Sequence, residues 1–111
     1  MPSHPVAYFF AGAFLSNAIP HFVRGVMGQP FQSPFAKPPG KGLSSSTVNV
    51  VWGFVNLVAF YLLLFRVGTF DARNTFQIGS FGLGILLFGI FTAYNFGKLH
   101  GGNNPTESQR S

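Results

Sequence analysis

A chain of 111 residues with 47% apolar and 17% aromatic side chains carries seven basic and two acidic groups, a net charge of +5. At 8% charged residues, against about 25% in an average soluble domain, a chain this short could not hide fifteen phenylalanines from water, so an ordinary soluble fold is excluded and lipid is the expected solvent. The absence of cysteine excludes disulfides and thiolate metal sites, and basic residues that flank apolar spans rather than gather on a polar face argue against nucleic acid.

No Asp, Glu, Lys or Arg occurs in 1–23, 42–65 or 74–97. A helix needs roughly 20 apolar residues to cross a hydrocarbon core of about 30 Å, so each stretch is long enough for one crossing. The reading is a single all-α integral membrane domain over 1–111, with three transmembrane helices in a small bundle. The spans are about 6–27, 47–66 and 76–97, joined by a loop at 28–46 and followed by a flexible tail at 98–111.

The first span begins after Pro5. Ser16-Asn17-Ala18 offers small residues in the spacing of a signal-peptidase site, but no Lys or Arg precedes the apolar run, and Pro20 follows the cut closely; an uncleaved span is the better reading. The second span reads TVNVVWGFVNLVAFYLLLFR, with the serines at 44–46 and Thr47 placed to cap it. A short turn, RVGTFDARNT, makes spans two and three antiparallel neighbours, and Asp71 there is expected to pair with Arg73 or cap the turn. The third span reads FQIGSFGLGILLFGIFTAYNFG.

With three crossings, the 28–46 loop and the C-terminal tail share one side, with Arg24, Lys37, Lys41, Lys98 and Arg110. The other side holds Arg66 and Arg73. The side richer in Lys and Arg is normally cytoplasmic, so a multi-pass cell-membrane protein with its N-terminus outside and C-terminus cytoplasmic is expected.

That topology gathers polar side chains at one depth. Asn17, His21 and Arg24 form a stripe by their spacing of four and three. Asn49, Gly53 and Asn56 repeat the pattern on span two, with Trp52 beside them, and Thr92, Tyr94 and Asn95 lie near the matching end of span three. Polar groups turn away from lipid, and Pro20 leaves a carbonyl that needs a donor. The expected site is a pocket open to the cytoplasm and formed by Asn17, His21, Arg24, Asn49, Trp52 and Asn56. Structural glue between helices, at about 0.6 kcal/mol per contact, explains the same residues without any ligand. Small residues at Gly12, Ser16, Gly89, Ala93 and Gly97 mark close helix packing or an oligomer interface.

In the loop, Phe31 and Phe35 are too apolar for free solvation and should fold onto the bilayer surface or over the pocket. Lys37 and Lys41 are then placed for headgroup contact. Gly40-Lys41 fails the phosphate-loop pattern, since Gly42 follows and Phe35 stands where the first glycine belongs. The stretch IPHFVRGVMGQPFQSPFAKPPGKGLSSS, with Trp52-Gly53 in the next span, resembles the signature region of a family of small bacterial multi-spanning membrane proteins that carry no assigned activity. The resemblance implies a shared role for the motif and carries over no catalytic residues.

Asp71 and Glu107 are too far apart in the topology for carboxylate-pair chemistry, and His4, His21 and His100 are scattered along it. No catalytic, cofactor or metal set is therefore expected. The leading reading is an accessory or structural membrane component, with anionic lipid headgroups and a homo-oligomer or larger complex as partners. The alternative is an oligomeric transporter, or a binder of anionic ligands or lipids, built around His21 and Arg24.

Overall fold

The computed structural model describes residues 3–104. Helix α1 spans Ser3–Val26. A two-residue antiparallel ladder, β1 (Phe31–Gln32) with β2 (Leu43–Ser44), closes the following loop and pairs Phe31 with Ser44. Helix α2 covers Ser46–Tyr61 and runs on through a π-helical turn, Leu62–Arg66, before α3 at Thr75–His100. All three helical segments are long and apolar enough to cross a membrane.

Local chemistry sets the helix ends. The Ser45 hydroxyl accepts from the Val48 amide at 3.1 Å and starts α2. Asn74 caps α3 by accepting from the amides of Phe76 and Gln77 at 3.0 and 3.1 Å. Asp71 caps the turn before it, accepting from the Arg73 amide at 2.9 Å. Gly101, at φ 75°, takes the left-handed conformation that ends α3. Helix α3 thus continues past Gly97 to His100, and the expected flexible tail is helical at its start; residues 105–111 of it lie outside the described residues.

Helix α1 is the axis of the bundle. It packs along both α2 and α3, which approach each other much less than either approaches α1. The short turn alone would make α2 and α3 each other's main partners, but the glycines of α1 decide otherwise. A Cβ on Gly12 would overlap the Phe81 carbonyl of α3, and one on Gly84 would overlap the Phe9 carbonyl of α1. On the other side, a Cβ on Gly25 would lie 2.7 Å from the Ser46 carbonyl of α2. Backbones this close exist only where both surfaces are small. Near the turn, α2 and α3 meet through aromatic rings, with Phe60 and Phe81 stacked at 5.9 Å. There they surround Tyr8, Ala11 and Leu64, the apolar core.

Elsewhere the usual sorting is inverted. The largest fully buried side chains are Tyr8, Asn49, Asn56 and Ser33, while Phe10, Phe54, Phe76 and Phe91 are exposed. In α3, Gly84 alone is buried.

Candidate functional site

The polar stripes of α1 and α2 face each other at the end of the bundle that carries the loop. His21 Nδ1 lies 2.8 Å from Asn49 Oδ1, and Asn17 Nδ2 donates to Asn56 Oδ1 at 3.0 Å. The four residues that equal spacing places on facing stripes are therefore paired, upper with lower, along the α1–α2 contact.

Hydrogen-bond accounting fixes the orientation of each group. Asn49 Nδ2 faces three backbone carbonyls, those of Phe31 at 3.1 Å, Ser44 at 3.2 Å and Ser45 at 3.0 Å. Its Oδ1 therefore points at His21 and can only accept, so His21 donates from Nδ1. A neutral His21 then carries its lone pair on Nε2, which has no protein partner among the described residues. In the same way Asn56 Nδ2 donates to the Trp52 carbonyl at 2.8 Å, its Oδ1 accepts from Asn17, and Asn17 Oδ1 is left as a second open acceptor.

Beside these groups lies a cavity of about 340 Å³, with walls from α1, α2, α3 and the loop. Asn17, His21 and Trp52 line it, joined by Gln32, Ser33, Pro34, Pro39 and Gly40 of the loop and Phe96 of α3. Around the His21 ring stand Phe31, Trp52 and Phe96, each roughly edge-on, with centroids 5.4, 6.4 and 6.2 Å away. Asn49 and Asn56 sit behind the walls, fully buried, and hold the lining residues in place.

The loop is a folded lid. The Ser33 hydroxyl bonds the Ser44 hydroxyl and accepts from the Phe35 amide, while the Ser33 carbonyl accepts from Gly40 at 2.9 Å. Phe31 is buried beneath it and stacks on His100 at 5.5 Å. His100 Nε2 in turn lies 2.8 Å from Gln32 Oε1, tying the end of α3 to the loop. Phe35 remains exposed and meets Trp52 edge-on.

Two groups of expected residues lie elsewhere. Arg24 is not among the cavity's lining residues; its guanidinium lies over the Phe31 ring, 5.6 Å from the centroid. Thr92 and Asn95 bond carbonyls of their own helix, Gly89 at 3.1 Å and Phe91 at 2.8 Å, and Tyr94 is exposed. Helix α3 contributes Phe96 instead. Lys37 and Lys41 are exposed on the loop. Gln32, Ser33 and Phe96 were not legible as lining residues, although the folding-back expected of Phe31 pointed to their segment. No protein-family model, curated protein or solved structure matches the chain.

Proposed function

We propose that this chain is an integral membrane protein that crosses the bilayer three times and binds a small ligand in the His21 cavity, at its cytoplasmic end. The observation that carries the reading is the pair of acceptors, His21 Nε2 and Asn17 Oδ1, aligned by a buried amide network and left without partners among the described residues beside a roofed cavity. Polar groups inside a protein are ordinarily satisfied; these two acceptors and the buried Trp52 Nε1–H, which has no partner among the described residues, call for a ligand group that both donates and accepts. A cavity of about 340 Å³ falls in the range of about 300–1,000 Å³ occupied by small ligands. The membrane setting is supported by three long apolar helices and by large hydrophobics exposed along all of them.

The reading is of binding rather than turnover, because among the described residues no acidic side chain lines the cavity and His21 is oriented by a neutral amide. An accessory role within a larger assembly is the second reading, favoured by the apolar outer face of α3, with Leu86, Ile90 and Phe91 each more than half exposed.

Native mass spectrometry of the chain extracted in mild detergent tests both. The wild-type protein is expected to carry a bound small molecule that His21→Ala loses at unchanged membrane abundance. A bare chain in both cases overturns the binding reading, and co-extraction of a second polypeptide supports the accessory one.

A further inference from the structure

The His21 cavity is the middle of three hollows. Pro39, Gly40 and Phe96 also bound a hollow of about 540 Å³ that reaches Lys41 and Lys98. Asn17 and Trp52 also bound a hollow of about 280 Å³ lined by Phe9, Phe10, Phe14 and Phe88. The two outer hollows share no wall with each other, so the order along the bundle is cationic, polar, apolar. From Phe88 to Lys98 the rise along α3 is about 15 Å.

Each part demands a different chemistry. Among the described residues neither lysine has a carboxylate partner: Asp71, the one acidic side chain there, sits in the turn at the other end of the bundle. Lys98 Nζ rests 4.3 Å from the Tyr94 ring instead. The middle hollow presents the acceptors His21 Nε2 and Asn17 Oδ1 beside the buried, unpaired donor Trp52 Nε1, and takes a group such as a hydroxyl that both donates and accepts. The last hollow is walled by phenyl rings. At about 30 Å³ per water-sized group, its 280 Å³ seats about nine methylenes, roughly the first half of one long acyl chain and too little for two side by side.

We propose that the three hollows together hold one anionic single-chain lipid, a lysophospholipid. Its phosphate lies between Lys41 and Lys98, its free glycerol hydroxyl donates to His21 Nε2, and its acyl chain enters the phenylalanine hollow. Inorganic phosphate would leave two hollows unfilled, and a two-chain phospholipid has an ester where the hydroxyl is needed. The proposal rests on the reading of the His21 cavity as a ligand site and names the ligand's class.

The test is competitive binding to the purified full chain in detergent, read by native mass spectrometry. Oleoyl lysophosphatidic acid is compared with oleoyl lysophosphatidylcholine, dioleoyl phosphatidic acid and inorganic phosphate. Lysophosphatidic acid is expected to bind at least tenfold more tightly than each competitor. The double variant Lys41→Gln/Lys98→Gln, altered only at exposed positions, is expected to lose the preference over lysophosphatidylcholine. Equal binding of the two-chain lipid, or an unchanged preference in the double variant, overturns the proposal. A co-purified ligand that depends on His21 but is not displaced by lysophosphatidic acid overturns it while the cavity reading stands; absence of any ligand removes both.

Discussion

Asn49 is the residue on which the site's geometry turns. One amide nitrogen serves three backbone carbonyls from the loop and the start of α2, while its oxygen sets the tautomer of His21. Asn49→Ala removes the donor to those carbonyls and the acceptor for His21. A buried group left unsatisfied costs about 1–3 kcal/mol, so a loss of that order is expected. Asn49→Asp is expected to be worse, since it places a carboxylate oxygen against the same carbonyls. Thermal unfolding in one detergent should rank wild type above Ala and Ala above Asp; three equal midpoints would remove Asn49 from this role. Nitrogen NMR of the histidine rings checks the tautomer, with His21 expected to be protonated at Nδ1 and bare at Nε2. The partnership of α1 and α2 was legible because spacings of four and three recur in both helices and their polar groups had nowhere else to turn. The same logic failed for Thr92 and Asn95, since a helical polar side chain can also bond a carbonyl three or four residues back. A two-residue ladder such as β1–β2 has no periodicity to read, which kept Gln32 and Ser33 out of the expected site.

Among the elements, α1 is central because its small residues let two neighbours approach at once. The sequence pattern marked Gly12 and Ser16 for close packing, and Gly12 does meet the α3 backbone. On α3 the marked residues were Gly89, Ala93 and Gly97, whereas the closest approach falls at Gly84; a regular spacing cannot rank glycines by what lies opposite. Gly82 and Gly84 separate the two effects of a methyl group. Nothing lies within 4 Å of a Cβ added at Gly82, while one at Gly84 overlaps the Phe9 carbonyl. Gly82→Ala is expected to stabilise by about 0.5–1 kcal/mol through helix propensity, and Gly84→Ala to destabilise by about 1–3 kcal/mol by forcing α1 and α3 apart. Opposite shifts in unfolding midpoint verify this packing, and a stabilising Gly84→Ala would contradict it. The π turn at Leu62–Arg66 has no counterpart in the sequence pattern. It carries Leu64 into contact with Tyr8 and Ala11, a result of tertiary packing that local propensity does not encode.

For the whole molecule, burial and charge point the same way. His21, Asn49 and Asn56 are buried between the helices while large hydrophobics are exposed along all three, and the basic residues collect at the end where the cavity opens. Arg24, Lys37, Lys41 and Lys98 all belong to that end; Arg66 and Arg73 belong to the other, with Asp71 offsetting one of them. Cytoplasmic retention of the more basic end would place Lys41 and Lys98 against the anionic inner surface of a cell membrane, where each lysine gains about 1 kcal/mol of attraction. The same orientation would bring a lipid phosphate to the mouth of the cationic hollow without crossing the bilayer. Since the chain has no cysteine, single cysteines can report this directly. Thr69→Cys, exposed in the turn between α2 and α3, is expected to react with a membrane-impermeant maleimide on intact cells. Lys37→Cys, exposed on the loop over the cavity, is expected to react only after the cells are opened. The reverse pattern would invert the orientation and put the cavity outside, whereas recovery of the intact chain in a soluble fraction would deny the membrane setting itself. Because both positions are exposed and away from the α1 contacts, a difference in labelling reads sidedness rather than folding.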